Sequence, residues 1–213
     1  MKNNFWDKRS KKYEQGLIDN PMLVSKTLEA CKAYLKKTDN VLDFGCATGE
    51  YSLALANQVD SIIGIDTSKN MIEIAQQKLS QKQLRNVSFQ VADITEARIN
   101  NKKYSAILAL SVLHLTNDIA DSLKKLYGLL DKNGCVISVT PCLSNRSLFM
   151  RVLMNLLQKI GIAPTIQSVS YDQLRGLFEV NGFSIVESKI LDSKNALYWI
   201  VGEVNDQAHN AEF

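Results

Sequence analysis

The segment Val41-Leu42-Asp43-Phe44-Gly45-Cys46-Ala47-Thr48-Gly49-Glu50 places an acidic residue on an apolar run and then small residues two apart, at 45, 47 and 49. Small residues let a backbone pass close to a ligand. A helix starting there offers free N–H groups to a carboxylate or phosphate. A loop of this kind at the carboxyl end of a first strand is where open α/β sheets bind their ligands. Two common ligand loops do not fit. The dinucleotide spacing G-x-G-x-x-G falls on Gly45, Ala47 and Glu50, so a methyl group and a negative charge stand where a pyrophosphate must approach. A P-loop would need Gly-Lys-Ser/Thr after the turn, and none follows. Further acids close later apolar runs: Asp66 ends one, and Asp93 follows another. A carboxylate at the end of a buried strand is costly unless something pairs with it, whereas Asp93 could equally cap the next turn. Asp43 could organise its loop by accepting backbone N–H bonds, or contact a cationic ligand group directly. His114 follows a fourth apolar run and is a candidate proton acceptor near neutral pH, or simply a histidine in a pocket wall.

These residues need a frame. Val41–Gly45, Ser61–Ile65, Val87–Val91, Tyr104–Leu110 and Cys135–Thr140 read as strands, the fourth apolar enough to be buried on both faces. Residues 49–58, 69–82 and 117–130 read as the intervening helices, with Asp131–Gly134 a turn. This alternation predicts an α/β fold, a three-layer doubly wound sheet with helices on both faces and right-handed crossovers. A helix at 171–180 leads through Asn181-Gly182 into a strand at 183–191. Only the turn Asp192–Asn195 separates it from a strand at 196–204, so these two pair antiparallel. The expected sheet therefore has seven strands, mostly parallel, with an antiparallel C-terminal hairpin strand. The chain of 213 residues, 46% hydrophobic and 22% charged, has ordinary globular composition. It reads as a single domain over 1–204 with a polar tail at 205–213. A net charge of +3 is too mild to imply nucleic acid or an anionic membrane by itself. No apolar run is long enough for a transmembrane helix, and the start has no signal-peptide stretch. Cys31, Cys46, Cys135 and Cys142 form no C-x-x-C pair, so reduced thiols in a cytoplasmic protein and no metal site are expected.

The order and intervals of these segments resemble the seven-stranded (class I), Rossmann-like S-adenosylmethionine-dependent methyltransferases. Phe44–Gly49 is similar to their cofactor loop, with Ala47 where glycine is more usual. Gly64-Ile65-Asp66-Thr67-Ser68 resembles their second motif, where the acid accepts bonds from both ribose hydroxyls. Ala92-Asp93-Ile94 resembles the adenine-side segment, and Leu110–His114 the segment at the methionine end. Leu130–Val136 and Asn181–Phe183 resemble the turns leading into strands five and six. Each motif alone is weak; together, in this order, they carry the likeness. Phe5–Arg9 with Lys12 and Tyr13 resembles the lid of the small-molecule and quinone C-methyltransferase-like branch; the alternative is that Trp6 and Tyr13 are plain helix anchors. The resemblance implies S-adenosylmethionine, converted to S-adenosylhomocysteine, as cofactor, and no metal. It implies that Asp43, Gly45, Cys46 (through its backbone), Ala47, Gly49, Asp66, Thr67, Met71, Asp93, Ile94, Leu110 and Tyr13 line its site. Met71 could equally be ordinary core.

The expected activity is methyl transfer to a small-molecule acceptor by direct displacement at the sulfonium methyl. His114 would serve as base for an oxygen or carbon acceptor. The acceptor would lie between a lid at about 1–38 and an insertion at about 143–165. The tetrapeptide of DNA and protein amide methyltransferases is missing after strand four, as are the carboxylates of the metal-dependent catechol type and the acid of aminopropyltransferases. A non-catalytic binding module, an RNA methyltransferase using the basic run at Lys8–Lys12, and, behind both, an NAD(P)-dependent oxidoreductase are the alternatives. Residues 147–160 carry a helical apolar stripe at 148, 149, 152, 153, 156, 157 and 160. It could cap the acceptor pocket, form a homodimer face or lie on a membrane.

Overall fold

Five short runs rich in β-branched and aromatic residues become strands because their side chains pack on both faces of a pleated surface. They are β1 (Asn40–Phe44), β2 (Ser61–Asp66), β3 (Val87–Val91), β4 (Tyr104–Leu110) and β5 (Leu130–Pro141), followed by β6 (Phe183–Asp192) and β7 (Leu197–Val204). The helices are α1 (Asn3–Ile18), α2 (Pro21–Lys32), α3 (Glu50–Leu55), α4 (Lys69–Ser80), α5 (Ile119–Leu129), α6 (Leu148–Lys159) and α7 (Tyr171–Val180). The computed structural model describes residues 3–96 and 102–205; the expected tail, apart from Asn205, lies outside the described residues.

The strands form one sheet in the order β3-β2-β1-β4-β5-β7-β6. β1 pairs in parallel with β2 and with β4, and β2 with β3. β7 runs antiparallel to both β5 and β6. The order reverses beside β1, between β1 and β4, which is the switch point where ligands of open sheets bind. Chain contacts group into two compact units, Met1–Leu108 and Ala109–Phe213. The core of the first is built on Val41, Leu42, Ile62, Ile65, Ile72 and Ile107, and that of the second on Leu123, Val136, Ile137, Phe178, Trp199 and Ile200, all at most 2% exposed.

Most element ends follow local chemistry. Asp118 caps α5 by accepting from the N–H groups of Ala120 and Asp121. Ser170 and Gln173 form a reciprocal capping box on α7. Three expectations are corrected. The helix expected over 49–58 is α-helical only to Leu55 and then tightens into a 3₁₀ turn over Ala56–Gln58, because the chain must turn directly into β2. The helix expected to 130 gives way at Leu130. Asp131–Gly134, expected as a turn, belongs to an extended β5. Asp131, Lys132 and Asn133 there are exposed, and pairing with β7 begins only at Cys135; a polar, unpaired strand start carries the composition of a turn. β6 ends the strand order and carries two register irregularities, after Ile185 and after Ile190, as suits an edge that must not template another chain.

Candidate functional site

The loop after β1 turns three times through the left-handed region: Gly45 at φ 70°, Ala47 at φ 48° and Gly49 at φ 75°. The N–H groups of Gly45 and Cys46 both donate to the Ile65 carbonyl, at 2.9 and 3.0 Å, tying the loop to the end of β2. Glycine at 49 answers packing as well as conformation. A Cβ there would stand 2.5 Å from the Phe89 ring and 3.1 Å from Ala75 Cβ. Ala47 has a Cβ and holds the left-handed conformation at a strain of order 1–3 kcal/mol. Cys46 is buried, and burial pushes its thiol well above the usual range.

Two carboxylates flank this loop. Asp43, within β1, is 3% exposed, and its Oδ2 accepts from Ser52 Oγ at 2.5 Å. Burial raises it to about 7, against the lowering effect of the Ser52 bond and with a smaller push from Asp66. Asp66, ending β2, accepts from the Ala47 N–H at 3.1 Å through Oδ2 and from the Ser68 N–H at 2.8 Å through Oδ1. Burial raises it too, opposed by those same N–H bonds. The partners that make a strand-end carboxylate tolerable here are backbone groups of the loop and of the turn into α4. Thr67 is exposed in that turn; Met71 is buried and donates its N–H to Ser68 Oγ.

The N-terminal helix reaches the same place. Asp7 of α1 accepts at Oδ1 from Ser68 Oγ at 2.5 Å and from the Asn70 N–H at 3.2 Å, while Asn70 Nδ2 donates to the Asp7 carbonyl at 3.0 Å. A carboxylate at the start of α4 is favoured by the helix dipole. Lys78 of α4 bridges Glu14 of α1 at 2.8 Å and Glu50 of α3 at 2.7 Å. Tyr13 is raised chiefly by burial and then by Tyr51, Asp43, Asp66 and Cys46, so its phenol stands among the loop's own acids. Trp6 meets Tyr13 edge-on, with ring centres 6.3 Å apart. Thr48, fully buried in the loop, has a hydroxyl with no hydrogen-bond partner.

The structure thus brings Asp43, Gly45, Cys46, Ala47, Gly49, Asp66 and Tyr13 together around one loop. Asp93 is exposed beyond β3, and Ala92 donates its N–H to the Asp66 carbonyl at 3.0 Å. Its Oδ1 accepts from the N–H and hydroxyl of Thr95, at 3.0 and 2.8 Å, so it caps the turn that follows. Ile94 is buried. In the second unit, Leu110 is buried at the end of β4, and Ser111 follows at φ 59°. His114 is 8% exposed in a 3₁₀ turn; burial lowers it to about 4, and its Nδ1 has no partner. Sequence reading missed Thr48, Ser52, Ser68 and the role of Asp7. Ser68 carried a signal, a cap residue directly before an amphipathic helix. The others are small polar residues whose importance is only spatial.

Among the described residues no cluster of His, Cys, Asp or Glu could hold a metal ion. The site offers one buried and one half-buried acid, Asp43 and Asp66, with no cation among the charges that shift them. It also offers an unpartnered hydroxyl and a left-handed loop. Its chemistry suits a ligand that carries positive charge and donates hydroxyl or ammonium hydrogens.

Residues 35–201 match a family model described as "Methyltransferase domain". The chain is 35% identical over 102 residues to a carboxy-S-adenosyl-L-methionine synthase of Helicobacter pylori, covering 46% of this chain and 40% of that protein. It is 33% identical over 104 residues to a ubiquinone biosynthesis O-methyltransferase of Pelagibacter ubique, covering 49% of this chain and 42% of that protein. The chain therefore spans about two fifths of the length of these curated relatives. A solved structure of a SAM-dependent methyltransferase from Thermotoga maritima superposes with a TM-score of 0.73 at 17% identity, covering 95% of this chain and 99% of that one.

Proposed function

The chain belongs to the methyltransferase-domain family, and from that premise we propose that it is an S-adenosylmethionine-dependent methyltransferase acting on a small-molecule acceptor. The observation that carries this reading is the pair of acids, Asp43 buried and Asp66 half-buried, held at the carboxyl ends of β1 and β2 beside a loop that turns through the left-handed region three times. The residues present fit that cofactor. Asp66 has both oxygens anchored by backbone N–H groups and keeps lone pairs free for the two ribose hydroxyls. Asp43, buried against a neighbouring carboxylate, gains most from an ammonium group. Thr48 Oγ1 is a buried hydroxyl in want of a partner. Met71 and Ile94 supply apolar surface, and Asp93, whose Oδ1 faces Thr95, offers its second oxygen to an adenine amino group.

When bound, the cofactor would supply an electrophilic methyl group, its leaving atom the positively charged sulfur. The residues' task is then to fix geometry and exclude water, and proximity of this kind can supply about 7–11 kcal/mol. Helix α1 serves the second task through the Asp7–Ser68 and Glu14–Lys78 ties. His114 is the candidate proton acceptor for an oxygen or carbon nucleophile, a weaker base than the expected near-neutral histidine because burial lowers it to about 4. The four buried thiols suit a reducing compartment such as the cytoplasm.

The test is mass spectrometry of cell extract incubated with the protein and S-adenosylmethionine labelled in the methyl group. A labelled small molecule formed only with active protein is expected. Label in RNA would move the acceptor class, and cofactor binding with no labelled product of any kind would make the chain a binding module.

A further inference from the structure

We propose that the outward face of α6 is a docking surface for a bilayer carrying anionic headgroups. The sequence stripe on this helix divides in the structure. Leu153 and Leu157 are half-buried. Leu148, Phe149, Val152, Leu156 and Ile160 are 72%, 75%, 59%, 55% and 58% exposed, and Ile162 beyond them is 50% exposed. At 100° per residue the first five fall within an arc of about 120°, so they form one continuous apolar face and not scattered surface residues. A patch of this kind on a soluble fold marks an interaction site.

Charge selects the occupant. Between Asp131 and Asp172 the chain has no acidic residue and four basic ones, Lys132, Arg146, Arg151 and Lys159. On the helical projection Arg151 and Asn155 lie about 60° and 20° outside one margin of the apolar face and Lys159 about 20° inside it, all exposed. An apolar face edged by cations on an otherwise acid-free segment is the pattern of a helix lying in the headgroup plane: alkyl groups enter the acyl boundary while Arg and Lys meet lipid phosphates. A symmetric pairing with a second copy would set these cations toward their own equivalents with no carboxylate on the segment to offset them. The proposal is independent of the methyl-transfer reading, since it concerns a surface and not the loop after β1.

The full chain is mixed with vesicles of phosphatidylcholine alone and with vesicles of equimolar phosphatidylcholine and phosphatidylglycerol, and bound protein is measured by co-sedimentation. Binding to the mixed vesicles is expected, weakened by high salt, with little binding to phosphatidylcholine alone. Arg151→Gln and Lys159→Gln should each weaken it about fivefold. Val152→Glu combined with Leu156→Glu should abolish it with an unchanged circular dichroism spectrum. Phe149→Trp should give fluorescence that shifts to the blue with the mixed vesicles only. Absence of binding, or binding that ignores these substitutions, overturns the proposal. So does a concentration-dependent dimer, seen by sedimentation velocity, that the double glutamate variant dissolves while the wild type ignores vesicles.

Discussion

Asp43 is the residue whose replacement separates stability from ligand binding most cleanly. Its carboxyl is raised from 3.8 to about 7, first by burial. A raised folded-state value means that the group's contribution to stability is fully present below pH 3.8 and is lost as pH rises through about 7. Three units correspond to roughly 4 kcal/mol as an upper bound, at 1.36 kcal/mol per unit. Asp43→Asn keeps an oxygen to accept from Ser52 Oγ and carries no charge at any pH. At pH 8 the unliganded variant should therefore be more stable than wild type by about 2–4 kcal/mol, or roughly 4–16 °C in Tm for a chain of this size. Below pH 4 the difference should vanish. Ligand binding should move the other way. Loss of a charge-assisted bond to the ammonium group should weaken S-adenosylhomocysteine by about 1.5–3 kcal/mol, roughly 10- to 150-fold. For wild type near pH 7, calorimetry in buffers of different ionisation enthalpy should detect release of up to about half a proton on binding, as the cation drives Asp43 to ionise. A stability difference that does not change with pH, or a variant that binds as wild type does, would refute the reasoning.

Other expectations follow from single contacts. Ala47→Gly should raise stability by about 1 kcal/mol, read as Tm, because it relieves a left-handed alanine; an unchanged Tm would mean the loop stores no strain. Gly49→Ala should lower stability by more than about 2 kcal/mol in a denaturant titration, since its Cβ would meet the Phe89 ring. Asp66→Asn should weaken S-adenosylhomocysteine by about 1–3 kcal/mol in a folded protein, and unchanged affinity would count against its place on the ribose. His114 is lowered from 6.5 to about 4, so the stability it contributes is fully present above pH 6.5 and drains away as pH falls toward 4. Replacing it with Gln should flatten that acid limb by about 3 kcal/mol in total, measured as the difference between the two proteins.

Much of the molecule could be read along the chain because its cause is local. Period-two and period-3.6 patterning depends only on which faces meet water, so β3, β4 and α7 fall where their residues predict. The spacing of Asp43, Gly45 and Gly49 announces a loop because only small residues tolerate such turns. Spatial neighbours have no such signature. Ser52 reaches Asp43 from one helix on, and Asp7 reaches Ser68 across 61 positions. Phe89 dictates glycine at 49 from a strand 40 positions away. Asp43 and Asp66 look alike in sequence, but the Ser52 hydroxyl faces one and backbone N–H groups hold the other, so only the fold tells them apart. Likewise the α6 stripe is uniform as written, and tertiary packing alone chose which part turns inward and which meets the solvent. Burial depends on what arrives from elsewhere in the chain, and no local pattern encodes that arrival.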